Sequence, residues 1–298
     1  MEFKVSDYLS SRKEFVDKKL LEFLLKSKND LSRLHESMIY SVMAGGKRLR
    51  PVLCIASCEV LGGEIEKALP VACAIEMIHT YSLIHDDLPS MDDDLLRRGK
   101  PTNHSVYGEA LAILAGDALL TDAFSFIVHE GISSGLKPSL LLDVIKDIAN
   151  ASGSRGMVGG QAIDLSLEGS EEVTIEMSEK VHSLKTGALI EVSVTTGAKI
   201  GGANSKELYQ LNSYSKALGL AFQIMDDVLD IEGGGEIGKN RGGDARKKKA
   251  TYPSLIGLEN AKGMAKQLTK DAVDALGTFG GEAAPLREIA NYLGGRTY

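Results

Sequence analysis

The chain has 298 residues, of which 43% are hydrophobic and 25% are charged, and its formal net charge is −7 at pH 7. These ordinary globular values exclude a disordered, collagen-like or disulfide-rich chain. The negative charge argues against a nucleic-acid partner, because proteins hold phosphate backbones with clustered Lys and Arg. A small phosphorylated ligand stays compatible with it, since Mg²⁺ is commonly shared between carboxylates and substrate phosphates.

The N-terminus and the cysteines favour a cytoplasmic protein. Residues 1–10 carry acidic side chains where a secretory signal has a basic start and an apolar run. No run of 18 apolar residues occurs, so stable membrane insertion is not expected. The three cysteines are odd in number, and Cys54 and Cys58 have helical rather than metal-site spacing. We expect buried, reduced thiols.

Apolar residues at three- and four-residue spacing predict long helices along most of the chain. In chain order, these helices cover residues 15–25, 69–85, 110–129, 140–151, 208–231 and 261–276. Loops rich in Gly, Pro or charge are predicted at 62–63, 89–103, 133–138, 201–202 and 233–246. Alternating strand patterns with hairpin turns are missing, so we predict an all-α fold, a large helical bundle forming one domain over residues 1–298.

Aspartates crowd the end of the second predicted helix. Five of them fall within nine positions, namely Asp86, Asp87, Asp92, Asp93 and Asp94. A solvated helix end is the simplest interpretation, but the C-terminus of a helix is where negative charge is least favourable. A bound cation explains the cluster better.

A second acidic cluster follows the apolar run that ends at Met225. Asp226 and Asp230 are four residues apart, so their side chains share one helix face, where like charges are unfavourable without a counterion. One such motif carries little information. Two of them, each at the end of a long apolar helix, predict facing helices that hold metal ions between their carboxylates.

Positive charge lies beside both acidic clusters. Residues 45–51 combine glycines, which allow close backbone approach, with arginines, whose planar forks match phosphate oxygens. Arg97, Arg98 and Lys100 follow the first cluster, and the basic run 239–249 follows the second. Each run alone is typical of a solvated surface. Their placement beside the aspartates indicates a diphosphate site.

Six segments together resemble the short-chain trans-prenyltransferases of the polyprenyl synthetase family, with the order and spacing of bacterial farnesyl diphosphate synthases. The segments are GGKRLRP from Gly45, HTYSLIHDDLPSMDDDLLRRGKPTNH from His79, GGQAIDL from Gly159, HSLKTGAL from His182, FQIMDDVLD from Phe222 and KATYPSLIGLE from Lys249. The resemblance runs from about Leu34 to the C-terminus. It implies an isoprenoid-synthase bundle around a deep central cavity, three Mg²⁺ ions per active site and a homodimer.

The resemblance also implies a role for each matching residue. The Mg²⁺ ligands would be Asp86, Asp92 and Asp226, with support from Asp87, Asp227 and Asp230. The allylic diphosphate would contact Arg97, Lys185, Lys239 and Lys249, while Thr186 and Gln223 would line the site where the carbocation forms. Isopentenyl diphosphate would contact Gly46, Lys47, Arg50, His79 and Arg98.

The implied reaction joins isopentenyl diphosphate to dimethylallyl or geranyl diphosphate through an allylic cation. Metal ions and basic side chains would stabilise the departing diphosphate, so no enzyme nucleophile is required. Farnesyl diphosphate is the expected product, and geranylgeranyl diphosphate is the alternative.

Product length would depend on residues of the helix that ends in the first acidic cluster. Tyr81 lies five residues before Asp86, or about 7.5 Å along a helix. An aromatic residue there resembles the floor of a farnesyl-length pocket, although an ordinary core tyrosine is the simpler alternative. Met77 lies one turn further, and Ser82 is adjacent.

Other functions are compatible with parts of the sequence. Glu76-x-x-His79 and Glu179-x-x-His182 match the pairs of a di-iron carboxylate bundle, which leaves the aspartate motifs unexplained. A non-catalytic subunit of a heteromeric prenyl synthase is disfavoured because both aspartate motifs are intact. A terpene cyclase would not need a second diphosphate site at Lys47, Arg50 and Arg98.

Overall fold

The computed structural model of the chain describes residues 3–26, 32–169, 173–232 and 251–295, and nearly all regular structure in these ranges is helical. The α-helices are α1 (Val5–Lys26), α2 (Ser32–Val42), α3 (Leu49–Glu59), α4 (Ile65–Asp86), α5 (Asn103–Tyr107), α6 (Glu109–Ser133), α7 (Pro138–Ser152), α8 (Met157–Leu167), α9 (Ile175–His182), α10 (Ala188–Ile200), α11 (Ser205–Glu232), α12 (Tyr252–Ile256), α13 (Leu258–Ala275) and α14 (Ala284–Gly294). A π-helical turn covers Ser183–Gly187, and a 3₁₀ turn covers Gly281–Ala283. Strands β1 (Leu96–Arg97) and β2 (Lys100–Pro101) form a small antiparallel ribbon.

The all-α prediction is confirmed, and all six predicted helices are present. Each of them starts earlier in the chain than predicted; α1, for example, begins at Val5 and packs Val5, Tyr8 and Leu9 against the core. Helix α9 shows how such a start is stabilised, since the Thr174 hydroxyl accepts a hydrogen bond from the Met177 N–H at 3.3 Å. The prediction of one domain over residues 1–298 stays a prediction.

Helices α3 and α10 were not among the predicted ones, and they lie at the centre of the fold. Every residue of α3 from Pro51 to Cys58 is buried, so this helix has no polar face that could reveal its period. Ile55 belongs to a core formed largely by α4 and α6, while Leu53 belongs to a second core with α11 and α14. Burying one such side chain stabilises the fold by about 1.5 to 3 kcal/mol.

Two glycines let core helices approach each other closely. A Cβ atom at Gly197 of α10 would overlap the backbone carbonyl of Cys54 on α3. Another at Gly116 of α6 would overlap the imidazole ring of His85 on α4. Helix α10 continues directly from the π-helical turn, and α4 ends at Asp86. These contacts therefore position the π-helical turn, which carries Lys185 and Thr186, and the end of α4, which carries Asp86.

The cysteines and helix α6 can be compared with the sequence-based expectations of reduced thiols and of no membrane insertion. Cys54, Cys58 and Cys73 are free and buried, as expected. Helix α6 is more apolar than expected: an 18-residue window has a mean hydropathy of 1.8, and among the described helices only this one could span a membrane by length and composition. It packs against α4 within the fold. Several of its large apolar side chains are nevertheless exposed, namely Ile113, Leu114, Val128 and Ile132.

Candidate active site

The first aspartate motif, which is the acidic cluster of residues 86–94, folds back on the end of α4. The Asp92 N–H donates a hydrogen bond of 2.8 Å to the backbone carbonyl of Asp86, which brings the two aspartates together. Burial raises the pKa of Asp86 to about 6, and the negative charges of Asp92 and Asp87 add to this, while Lys185 and Arg97 oppose it. Burial therefore disfavours the charged form of this carboxyl group, and a cation placed beside it would favour that form.

Asp87 has a different environment from Asp86. Its side chain is buried and accepts hydrogen bonds from Arg97 Nε at 2.6 and 2.8 Å, with Arg97 Nη2 also 2.5 Å from Oδ1. Arg97 Nη2 lies 3.9 Å from Asp94 as well. Asp87 thus anchors Arg97, and with it strand β1, beside the first motif. Its predicted support of the Mg²⁺ ligands stays a prediction.

The loop between α2 and α3 meets the ribbon β1–β2. Arg98 donates a hydrogen bond to the Gly45 carbonyl, and a Cβ atom at Gly46 would overlap the Arg98 guanidinium. Gly46 also has a φ of 115°, a conformation that favours glycine. This contact brings together Gly46 and Arg98, two of the residues expected to bind isopentenyl diphosphate. Lys47, next in the loop, is exposed.

Arg50 and His79 lie in a half-buried part of the same region. Arg50 Nη1 lies 3.4 Å from His79 Nε2. Burial and the nearby Arg50 charge hold the pKa of His79 well below its usual range, so the ring is neutral and its Nε2 can accept. Arg50 Nε is buried without a hydrogen-bond partner among the described residues. An anionic oxygen would satisfy this donor, and Asp226 of the second motif is close enough to affect the pKa of Arg50.

Arg48 has a structural role that the sequence did not reveal. Its side chain is almost completely buried, and it donates to Asp17 and to Glu76, each at 2.7 Å, and to the Val42 carbonyl. In the sequence it is one member of a basic run. No local pattern separates a buried arginine from an exposed one within a run such as residues 47–50.

The pairing of Glu76 with Arg48 also bears on the di-iron alternative. Glu76 is held by a cation in the buried interior, whereas Glu179 lines a groove of about 940 Å³ bordered by α7, α9, α10 and α11. The two Glu-x-x-His pairs therefore do not meet. Within the described ranges, no group of three or more His, Cys, Asp or Glu side chains is arranged as a metal site.

The second aspartate motif lies on α11, and its three aspartates have different surroundings. Asp226 is partly buried, Asp227 is only 5% exposed, and Asp230 is exposed. Asp227 Oδ1 accepts from Gln223 Nε2 at 3.0 Å, and Oδ2 accepts from the Tyr252 N–H at 3.0 Å. Asp227 therefore links α11 to the start of α12.

The π-helical turn carries Lys185 and Thr186. Lys185 Nζ lies 2.7 Å from Asp164 of α8, and the Thr186 hydroxyl donates to Gln223 Oε1 at 3.0 Å. A Cβ atom at Gly160 of α8 would overlap the Lys185 backbone, so this glycine allows α8 to touch the turn. Asp164 belongs to one of the six segments that resemble the family, but no role was predicted for it, because a single carboxylate has no pattern of its own.

These segments enclose a cavity of about 110 Å³ between α8, α9, the π-helical turn and α11. Its polar lining includes Asp164, His182, Lys185, Thr186, Gln223 and Asp227. Four residues that the resemblance placed in the active site therefore share one cavity. Lys239 and Lys249, which were predicted to contact the allylic diphosphate, lie outside the described residues.

The predicted product-length residues lie on α4. Tyr81 is 5% exposed, and its ring packs edge-on against His85 at a centroid distance of 5.7 Å. Burial, with the Asp86 charge, raises the pKa of Tyr81 to about 12, so its hydroxyl is neutral. Met77 is fully buried one turn further along the helix. The Ser82 hydroxyl donates to the His79 carbonyl at 2.9 Å.

A known protein family matches most of the chain. The model of the family described as polyprenyl synthetase matches residues 31–278. The chain belongs to the polyprenyl synthetase family. It is therefore a prenyltransferase, a prenyl diphosphate synthase with the all-α fold of isoprenoid synthases, and the di-iron alternative is wrong.

Similar proteins cover almost the whole chain. It is 47% identical over 297 residues to a dimethylallyltranstransferase of Fischerella ambigua (strain UTEX 1903). The aligned region covers 99% of this chain and 85% of that protein. It is 48% identical to a geranylgeranyl diphosphate synthase of Cyanophora paradoxa, over 98% of this chain and 96% of the relative. The crystal structure of an FPP/GFPP synthase from Zymomonas mobilis matches with a TM-score of 0.87 and 40% identity, over 98% of this chain and 100% of that one.

The raised pKa of Asp86 generates a prediction for the metal-free protein. The pKa is about 6 in the fold, above the value of about 3.9 expected for an unfolded chain. The stability contributed by the neutral carboxyl is present below pH 4 and is lost as the pH rises through 6. After dialysis against EDTA, we expect Asp86→Asn to raise the free energy of unfolding by about 1 to 2 kcal/mol at pH 8, allowing for partial solvation.

Urea denaturation between pH 4 and pH 8 measures this effect. The gain from Asp86→Asn should shrink between pH 6 and pH 4. Asp93→Asn is the matched control, since Asp93 is exposed and its φ of 52° suits Asn equally well. A gain from Asp86→Asn that is the same at pH 4 and pH 8 would contradict a raised pKa.

Proposed function

We propose that this chain is catalytic on its own and condenses isopentenyl diphosphate with dimethylallyl and geranyl diphosphates. The observation that carries the proposal is the mixture of charges in the site: crowded carboxylates at Asp86 and Asp92 lie within electrostatic reach of Lys185 and Arg97. Neither a purely anionic nor a purely cationic ligand satisfies both groups. A diphosphate bound through divalent metal ions does.

Asp86, Asp92 and Asp226 are the proposed ligands of Mg²⁺, with three ions per active site. The donor set fits, because Mg²⁺ prefers carboxylate oxygens, and the raised pKa of Asp86 indicates a carboxylate that gains from a cation. The absence of a closed metal site among the described residues suits ions that share their coordination with substrate phosphates. When bound, Mg²⁺ acts as a Lewis acid on the leaving diphosphate.

Basic side chains divide into two proposed diphosphate sites. Arg97 and Lys185, held by Asp87 and Asp164, face the first aspartate motif and bind the allylic diphosphate together with Lys239 and Lys249. A second set binds isopentenyl diphosphate; it consists of Gly46, Lys47, Arg50, His79 and Arg98. The unpartnered Nε of Arg50 supports this second site.

The reaction needs no nucleophile from the protein. The allylic carbon–oxygen bond breaks, the diphosphate leaves with the electron pair, and the double bond of isopentenyl diphosphate forms the new carbon–carbon bond with the cation. A proton then leaves to the released diphosphate and restores a double bond. Thr186 and Gln223 line the cavity beside Lys185, where their oxygen atoms can stabilise the positive charge.

Two product lengths are supported by different observations. The buried ring of Tyr81, about 7.5 Å along the helix from Asp86, favours farnesyl diphosphate, because a longer chain would meet the ring. The names of the similar proteins favour geranylgeranyl diphosphate, as in Cyanophora paradoxa. On this point the comparisons support the second candidate better than the first. We propose farnesyl diphosphate from the geometry and keep geranylgeranyl diphosphate as the second candidate.

A homodimer through helix α6 is proposed from the exposed face of that helix. Residues at three- and four-residue spacing form one exposed stripe, which consists of Ala110, Leu114, Asp117, Thr121, Ser125, Val128 and Ile132. Leu114 and Ile132 are each more than half exposed. A second copy of α6 packed across a two-fold axis would bury both ends of the stripe at once. We also propose a cytoplasmic location, which the free thiols support.

The purified chain alone should convert isopentenyl and geranyl diphosphates to a longer prenyl diphosphate in the presence of Mg²⁺. EDTA should abolish turnover, and added Mg²⁺ should restore it. Chromatography of the dephosphorylated products measures both rate and chain length. No turnover by the isolated chain, in contrast to activity after mixing with another prenyl synthase subunit, would support the non-catalytic alternative.

Tyr81→Ala should shift the product from fifteen to twenty or more carbons, since it opens the path towards Met77. Tyr81→Phe is the matched control and should keep the wild-type product, because the ring rather than the hydroxyl limits the chain. Product analysis of the three proteins decides between the candidates. A wild-type protein that makes mainly geranylgeranyl diphosphate would remove Tyr81 as the limit and select the second candidate.

Leu114→Glu should convert the dimer into a monomer, because it places two charges in the proposed apolar contact. Tyr209→Glu is the control, since Tyr209 is 74% exposed on a different helix. Sedimentation equilibrium should give twice the chain mass for the wild type and for Tyr209→Glu, and once the chain mass for Leu114→Glu. A monomeric wild type would contradict the homodimer, and a dimeric Leu114→Glu would place the interface elsewhere.

A further inference from the structure

A series of three hydrogen bonds connects the start of α12 with the π-helical turn. The Tyr252 N–H and Gln223 Nε2 both donate to the carboxylate of Asp227, to Oδ2 and Oδ1 respectively, each at 3.0 Å. Gln223 Oε1 in turn accepts from the Thr186 hydroxyl at 3.0 Å. Asp227 is buried, and Thr186, Gln223 and Asp227 all line the same cavity as Lys185.

The carboxylate sets the direction of every bond in this series. A carboxylate only accepts hydrogen bonds, so Gln223 must present its NH₂ group to Asp227 and its carbonyl oxygen to Thr186. Thr186 has one hydroxyl hydrogen, and the Gln223 oxygen receives it. The lone pairs of the Thr186 oxygen, and not its hydrogen, are therefore available to a ligand in the cavity.

We infer that Asp227 is a positioning residue, which acts through Gln223 to turn the oxygen of the Thr186 hydroxyl, and not its hydrogen, towards the allylic cation. The inference rests on the proposed synthase activity. A dipole that is already oriented before the cation forms stabilises it without the cost of reorganisation. In this role Asp227 differs from Asp226, which is a proposed metal ligand.

Asp227→Asn should reverse the series while leaving the shape of the site unchanged. The Tyr252 N–H belongs to the backbone and can only donate, so the oxygen of the new amide turns to it and the NH₂ group faces Gln223. Gln223 then has to rotate its own amide and donate to Thr186, whose hydrogen turns to the cavity. We expect kcat to fall by about a hundredfold, with KM for both substrates changed by less than about threefold.

The double variant Asp227→Asn with Gln223→Glu should restore the original direction at the same net charge. The carboxylate introduced at position 223 accepts from the amide NH₂ group introduced at position 227 on one side and from the Thr186 hydroxyl on the other. Gln223→Glu alone places two carboxylates together and removes the donor between them, so it should be impaired. We expect kcat of the double variant to return to within about tenfold of the wild type, although each single change lowers it.

A second pair of variants tests whether Asp227 acts through Thr186. In a Thr186→Val background the hydroxyl is absent, so Asp227→Asn should lower kcat further by less than about threefold. Binding provides a readout independent of turnover. The affinity for a trialkylammonium diphosphate analogue, relative to its uncharged carbon isostere, should fall in Asp227→Asn and recover in the double variant.

Thermal unfolding of each variant accompanies these measurements. A wild type without synthase activity would refute the proposed function. With an active wild type, a folded double variant that is no more active than Asp227→Asn would overturn the role of Asp227. Should the double variant fail to fold, equal effects of Asp227→Asn in the wild-type and Thr186→Val backgrounds would overturn it in the same way.

Discussion

Carboxylates at the end of α4 repel one another, and cations that other elements bring to them offset part of this repulsion. Asp87 is neutralised by Arg97 from the ribbon β1–β2, while Asp86 is influenced from further away by Lys185 and Arg97. The ribbon and the π-helical turn therefore have to lie close to the end of α4. Gly46, Gly116 and Gly160 allow these elements to approach one another, because each glycine lacks the Cβ atom that would overlap the neighbouring element.

The aspartate motifs stand out in the sequence because their cost is local, and the metal ions that they indicate stay a prediction. Several carboxylates at one helix end are unfavourable in any fold, so Asp86, Asp92 and Asp226 indicate a cation from the sequence alone. The long helices could be predicted for a similar reason, since one face of α11 or α13 is polar. Helix α3 could not, because it is buried on all sides and loses the periodic signal.

The partners of the site residues could not be predicted, because they depend on contacts between distant parts of the chain. Arg48 looks like its neighbours in sequence, and only the approach of α1 and α4 makes it a buried structural residue. The same holds for Asp164, whose place in the site depends on its ion pair with Lys185. It also holds for Gln223, which connects Thr186 to Asp227. Family resemblance supplied roles for several of these residues, but it did not say which residue holds which.

The burial of Arg48 makes the loop that carries Gly46 and Lys47 dependent on a remote part of the chain. Arg48 is held by Asp17 of α1 and by Glu76 of α4, and a buried donor that loses its acceptor costs about 1 to 3 kcal/mol. Helix α1 contributes no residue to the proposed substrate sites. Even so, a chain that begins after α1 would leave Arg48 Nε without the Asp17 carboxylate beneath the loop. The N-terminal helix therefore stabilises the loop of the proposed isopentenyl diphosphate site from a distance.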